Sequence, residues 1–310
     1  MHYQDLRSWF ARCWLACAGL AFATGVVAEP VDTLARWIVG GDRAYVVQPG
    51  DFLIAIGARF GVSAEFLAKH NGIAYDAILR PGQTLRIHNP HIVPAGVDDG
   101  ILINIPQRML FHVHGGALIA AYPVGLGRPD WPTPVGRFRI VSRETNKTWK
   151  VPKSIQEEMR RERKMVVDEV PPGPDNPLGR HWLGLSAAGY GIHGTIAPAS
   201  VYHFQSHGCI RLHPNDIAEL FGRVRVGTPV RIIYQPALLA RLDDGRILLE
   251  VHRDVYGQGG DALRFVSDVA AANGLGEAID WTAAGNVIAR ARGLAEAVGE
   301  VRAAQSATVH

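Results

Sequence analysis

The chain has 310 residues, of which 47% are hydrophobic and 20% charged, an ordinary globular mix with room for roughly two domains. That composition excludes a disordered chain, a collagen-like one and a polytopic membrane protein. The net charge of +3, from 32 basic and 29 acidic side chains, is too balanced for a nucleic-acid binder.

Residues 1–28 read as an export signal rather than as part of the fold. Arg7 and Arg12 form a basic start, and Cys13 to Ala28 is uncharged. That run is shorter than the roughly 20 residues of a bilayer span. Val26-Val27-Ala28 supplies the small residues of a cleavage site. An uncleaved anchor and a lipoprotein modified at Cys17 are the alternatives. Cleavage removes Cys13 and Cys17 and leaves Cys209 as a lone thiol in an oxidising compartment.

Residues 43–88 read as strand, helix, helix, strand. Tyr45-Val46-Val47 begins it, Leu53, Ile56 and Phe60 recur at helical spacing, and Ser63 caps a second helix ending at Asn71-Gly72. Pro81-Gly82-Gln83 turns into a closing strand at Thr84–Ile87. Gly57, inside the first helix, is expected to cost about 1 kcal/mol against Ala. The pattern of Tyr45, Val47, Gly50, Asp51 and Leu53, then Ile56, Phe60, Gly61 and Val62, then Pro81 to Ile87 resembles a LysM module. Phe52 departs from it, standing where a small hydroxyl residue is usual. The resemblance implies binding of N-acetylglucosamine-containing glycans, hence of peptidoglycan; a merely structural subdomain is the plain alternative.

Residues 88–100, with two prolines and two glycines, read as a linker. Strands follow at 101–105, 108–113 and 117–122, the last two joined by a Gly115-Gly116 turn, and alternation marks further strands at 137–140 and 230–232. Ser154 and Glu157 form the sequence pattern of a capping box for one helix. Its run Arg160, Arg161, Arg163, Lys164 reads as a solvated face in preference to a lid over a groove. From 235 to 310 the chain reads as an extension with a strand at 247–251 and helices near 262–272 and 283–298, packed on the strand-rich domain and carrying no catalytic group.

The chemistry concentrates between Gly191 and Arg211. A thiol is mostly protonated at neutral pH and needs a base or a positive neighbour to act as a nucleophile. His193 ends an apolar, glycine-rich strand, and the following loop is long enough to return Cys209 to the strand end, as Cys–His catalysis requires. His207 and Arg211 flank the thiol. Gly208 permits a sharp turn, and its amide and that of Cys209 are candidate oxyanion donors. Pro214 opens a helix over 215–224. Zinc held by His193, His203, His207, Cys209 and His213 is the competing reading. It is set behind the thiol because none of these has the spacing of a familiar site.

The string Ser206-His207-Gly208-Cys209-Ile210-Arg211-Leu212, preceded by Ile192-His193-Gly194-Thr195, is similar to the L,D-transpeptidases with a YkuD-type catalytic domain. The likeness spans 100–234 and includes Thr133–Phe138 and Pro172–Gly179; the latter and the extension resemble the Gram-negative periplasmic branch. It implies Cys209 as nucleophile, His193 as general acid/base, and the Gly194 carbonyl as the group that orients His193. Ser206, His207 and Arg211 are then site-shaping or substrate-binding residues, and no cofactor or metal is called for. It further implies an α+β protein whose catalytic domain is mostly β and sandwich-like, placed in the periplasm. The substrate is then a peptidoglycan tetrapeptide stem, and the acceptor a second stem, an outer-membrane lipoprotein or water. A non-catalytic wall-binding protein is the alternative from another class.

Overall fold

The computed structural model describes residues 34–301; the expected export signal lies outside the described residues. The chain opens with β1 (Trp37–Val39) and β2 (Asp42–Val46), followed by α1 (Leu53–Phe60), α2 (Ala64–His70) and β3 (Thr84–His88). β2 and β3 pair antiparallel with Tyr45 opposite Leu85. The Tyr45 hydroxyl and the Gln48 amide both donate to Asp51 Oδ2, at 2.6 and 2.8 Å, which closes the turn into α1. Ser63 Oγ accepts from Phe66 N at 3.1 Å, the cap its position predicts. Gly57 is no burden: a Cβ there would sit 2.6 Å from the Val62 carbonyl oxygen, so close packing requires glycine.

Residues 88–100 are not a free linker. β4 (His91–Val93) is fully buried and pairs with β1. Apolar side chains let this segment join the core, where its prolines and glycines alone suggested solvent.

The central domain then runs β5 (Gly100–Asn104), β6 (Met109–His114), β7 (Ala117–Pro123), β8 (Leu126–Gly127), β9 (Gly136–Thr145), β10 (Trp149–Lys150), α3 (Lys153–Arg161), β11 (Glu169–Val170), β12 (His181–Leu185), β13 (Gly191–His193), β14 (Phe204–Ser206), β15 (Ile210–Arg211), α4 (Pro214–Arg223) and β16 (Pro229–Ile233). Eight of these strands form one mixed sheet in the order β15-β13-β12-β9-β16-β5-β6-β7. Gly115 and Gly116 both take positive φ, at 59° and 75°, as a tight hairpin between β6 and β7 demands. One apolar core of Ile103, Leu110, Ile140, Leu183, Ile192, Ile210 and Leu220 ties sheet to α4. The α+β class and the mostly-β catalytic domain are as expected.

Two local expectations change. No capping box forms on α3: the helix begins after Pro152, whose carbonyl accepts from Ile155 N and Gln156 N, both at 3.0 Å. The extension holds three strands rather than one: β17 (Ala237–Arg241), β18 (Arg246–Val251) and, after α5 (Ala262–Ala272) and α6 (Trp281–Arg290), β19 (Glu296–Glu300). The alanine-rich run 283–298 breaks at Ala291, with φ 41°, and Gly293, with φ 74°, and its end pairs with β18. The open edge of β18 outweighs a helical pattern. The extension keeps its own core of Leu239, Leu249, Val266, Val269, Val287 and Val298.

Candidate active site

β13 and β15 lie side by side and parallel, with Ile192 opposite Ile210 and His193 opposite Arg211. This register sets Cys209, the residue just before β15, beside the strand that carries His193. A hydrogen bond from Leu212 N to the His193 carbonyl, 2.8 Å, locks the alignment. Cys209 is a free, half-buried thiol, and it lines a cleft of about 500 Å³ together with His193, Ser206, His207 and Arg211. Gly194 lies behind His193, packed on Ile217. The structure therefore brings His193, Ser206, His207, Cys209 and Arg211 to one cleft.

His193 is buried, and its Nδ1 meets the Gly194 carbonyl oxygen at 2.6 Å. A carbonyl only accepts, so Nδ1 carries the proton and Nε2 is left basic. Burial, reinforced by the charge of Arg211, pushes the imidazole down to about 4. Burial also raises the Cys209 thiol, against the lowering effects of a Gly191 backbone hydrogen bond and of Arg211. The pair therefore rests as neutral imidazole and thiol at neutral pH.

The turn itself is braced from within. Ser206 Oγ donates to the Cys209 carbonyl at 2.6 Å and accepts from Gly208 N at 3.2 Å. The Gly208 amide is thus spent inside the turn, against the expectation that it serves an oxyanion. What Gly208 supplies is conformation: its φ is +95°, and a Cβ would lie 2.6 Å from the Tyr190 ring. Thr133 Oγ1 donates to the Gly208 carbonyl at 3.0 Å while accepting from Gly127 N at 2.9 Å. From the extension, Tyr256 donates its hydroxyl proton to the Gly127 carbonyl at 2.5 Å and accepts from Thr133 N at 3.3 Å. The extension therefore braces the turn, against the expectation that it merely packs.

His207 is held by Glu158, with Nε2 2.5 Å from Glu158 Oε2, and its ring makes a T-shaped contact with Trp131. Arg128 reaches the other oxygen of Glu158 at 2.5 Å. These two hydrogen bonds, that of Arg128 foremost, hold the Glu158 carboxyl down near 2. Glu158 belongs to α3, whose Ile155 and Met159 line the same cleft. The basic residues of α3 are exposed, as read, but its opposite face is a wall of the cleft, which the lone reading of a solvated face set aside.

Sequence reasoning missed Trp182. Its ring stacks on His193 at 5.7 Å between centroids, and it lies over Gly191, where a Cβ would come within 2.4 Å of the indole. Trp182 faces His193 across the β12–β13 ladder, and Gly184 faces Gly191. A tryptophan, glycines and a histidine on two strands joined by a short connection were the available signal. The residues of the zinc alternative are dispersed: His203 lines a different cleft, and His213 caps α4 through Asn215 N at 3.3 Å.

Residues 98–232 match the YkuD family, an L,D-transpeptidase catalytic domain, and residues 45–88 match the LysM domain. The chain is 31% identical over 244 residues to the probable L,D-transpeptidase YcfS of Escherichia coli (strain K12), covering 77% of this chain and 76% of that one. The chain belongs to the L,D-transpeptidase family. The probable L,D-transpeptidase YbiS of the same strain is 29% identical over 253 residues, covering 80% of this chain and 82% of its own. The putative L,D-transpeptidase YkuD of Bacillus subtilis (strain 168) is 32% identical over 191 residues, 61% of this chain and 97% of that one. As an L,D-transpeptidase-family enzyme with a LysM domain, the chain is directed at peptidoglycan and its stem peptides.

Proposed function

We propose that this protein is an exported L,D-transpeptidase that works in the periplasm on peptidoglycan tetrapeptide stems through a cysteine acyl-enzyme. The observation that supports the reading is that Cys209, just before β15, and His193, on the neighbouring parallel strand β13, line one cleft, with His193 Nδ1 held by the Gly194 carbonyl.

His193 Nε2 takes the proton of the Cys209 thiol as Sγ attacks the carbonyl of the diaminopimelate residue that precedes the terminal D-alanine. The negative charge that develops on oxygen is met by the Cys209 amide. The C–N bond breaks, His193 returns the proton to the departing D-alanine amine, and a thioester remains on Cys209. An acceptor amine then loses a proton to His193 and attacks the thioester. The new amide forms as the thiolate leaves, and the thiolate recovers the proton. With the side-chain amine of a second stem as acceptor, the product is a cross-link between third residues. A lipoprotein lysine gives a wall anchor, and water gives carboxypeptidase action. Arg211, half-buried in the cleft, supplies positive charge for a substrate carboxylate.

Incubating the wild-type protein and Cys209→Ala with purified muropeptides tests this. The expected result is cross-linked or trimmed product from the wild type only, with at least about a thousandfold loss in the variant at an unchanged melting temperature. Full turnover by Cys209→Ala rejects the proposal, and product mass names the acceptor.

A further inference from the structure

A second cleft, of about 540 Å³, opens where the LysM module, the central domain and the extension meet. Its wall is strongly basic. Lys69 comes from α2, Arg108 from the turn before β6, Arg253 from the segment after β18, Arg290 from the end of α6 and Arg292 from the segment that follows it; Glu65 is the one acidic side chain in the lining. Arg290 is paired with Glu296 at 2.7 Å. Lys69, Arg253 and Arg292 are exposed and have no carboxylate partner among the described residues. Arg108 lies over the Tyr202 ring at 4.0 Å, and its Nε is buried without a hydrogen-bond partner. A cluster of like charges repels itself, and an unmet guanidinium N–H is costly, so both gain from an anion.

The backbone around the cleft is strained as well. Among the described non-glycine residues, five take positive φ, and three of them line this cleft: Arg108 at 55°, Tyr202 at 63° and Ala291 at 41°. Strain of this kind persists where the surrounding structure imposes it, most often at binding sites. Position adds a direction. Phe204 in this cleft begins β14, and Ser206 at the end of the same strand lines the cleft of Cys209. Three strand residues span roughly 10 Å, within the reach of one polymer substrate.

We propose that this cleft is a second binding site for the wall polymer. It takes the free carboxylates of a stem peptide while the sugar strand runs along the LysM module. Guanidinium groups pair bidentately with carboxylates, and several exposed ones together give a salt-sensitive hold on a chain of repeated acidic stems. Tyr75 and Phe66 add aromatic surface beside the cations. The inference rests on peptidoglycan being the substrate, as argued above, and it adds where on the protein the stem's charge is read.

The test uses the whole protein carrying Cys209→Ala, so that binding is measured apart from turnover. Four probes are titrated: a disaccharide tetrapeptide, the same compound with its carboxylates amidated, an N-acetylglucosamine oligomer and inorganic polyphosphate. The double variant Arg253→Glu/Arg292→Glu reverses two exposed charges, and Arg225→Glu, an exposed cation outside the cleft, is the control. Melting curves establish that each is folded. The expected result is an affinity for the tetrapeptide at least tenfold weaker in the double variant, unchanged in the control and equally reduced by amidation. The sugar oligomer binds all forms alike. Equal tetrapeptide affinity in the double variant, no loss on amidation, no binding at all, or a stronger hold on inorganic polyphosphate than on the tetrapeptide each overturns the proposal. Loss of thiol-dependent turnover in the separate activity assay refutes the enzymatic reading without moving these binding curves.

Discussion

Cys209 and His193 are tuned in opposite senses by one cause, burial, which disfavours the charged form of each. In the proposed mechanism the thiolate is therefore made on demand, by proton transfer to Nε2, and is not stored as an ion pair. Alkylation of native Cys209 by iodoacetamide is expected to rise with pH on the alkaline side of the curve for the same cysteine in denaturant; half-maximal rate below pH 8 contradicts this. Stability carries a second signature. An unfolded imidazole titrates near 6.5 and the native one at about 4, so between those values only the unfolded chain binds the proton. Stability is complete above pH 6.5 and falls as pH drops toward 4, by about 3 kcal/mol from this group. Urea denaturation at pH 7 and pH 4.5 is expected to show a smaller acid loss in His193→Gln than in the wild type.

At the scale of elements, the cleft depends on how closely backbones approach. β13 holds Gly191 where the Trp182 indole leaves no room for a Cβ, and Trp182 in turn stacks on His193. Gly191→Ala must displace the indole, since its atoms lie within 2.4 Å of the added methyl position. The expected outcome is a 10- to 100-fold loss of turnover with Cys209 still present, and a shift of the His193 ring resonances in NMR spectra. α3 is held to the catalytic turn through Glu158, shared between His207 and Arg128. This is why a helix whose sequence reads as a charged, solvent-facing segment also walls the cleft.

Across the whole molecule, the three parts of the chain are fused by a buried polar centre. Glu250 Oε1 accepts from His91 Nδ1 at 2.9 Å, His252 Nε2 at 2.7 Å and Gln107 Nε2 at 3.0 Å, and Oε2 accepts from Ile92 N at 2.5 Å. His91 Nε2 meets the Gly61 carbonyl oxygen of the LysM module at 2.9 Å. Both of its ring nitrogens therefore face acceptors, one of them the Glu250 carboxylate. His91, Glu250 and His252 are the one set of metal-capable side chains grouped together among the described residues, and every contact there is that of a hydrogen-bond network. Glu250→Gln replaces a buried acceptor of four hydrogen bonds with an amide that cannot accept them all, and is expected to cost about 3 kcal/mol in chemical denaturation, with the module and the central domain losing structure together. Retained stability contradicts that reading. Leu294 of the extension sits in the module's core and Ala58 of the module sits in a core of the central domain, which reinforces the same coupling.

The residues proposed to carry chemistry were legible because their constraints are local. A glycine before a thiol, a histidine ending a glycine-rich strand, and a serine capping a helix each act within a few residues of their own backbone. The hairpin glycines at 115–116 and the cap at Ser63 are of this kind, and so is the string around Cys209. Long-range decisions left little trace in the chain order. Glu158 on His207, Tyr256 on Gly127 and β4 in the interior each join segments far apart in sequence. Their partners are chosen by packing and by the need to satisfy buried polar groups, and those demands exist only once the chain has folded. By itself, then, the sequence determined the family and fold class of the chain and singled out the residues proposed to react. The tertiary structure decided which neighbours set their protonation and brace them, because burial and hydrogen-bond partners belong to the folded arrangement and not to the order of residues.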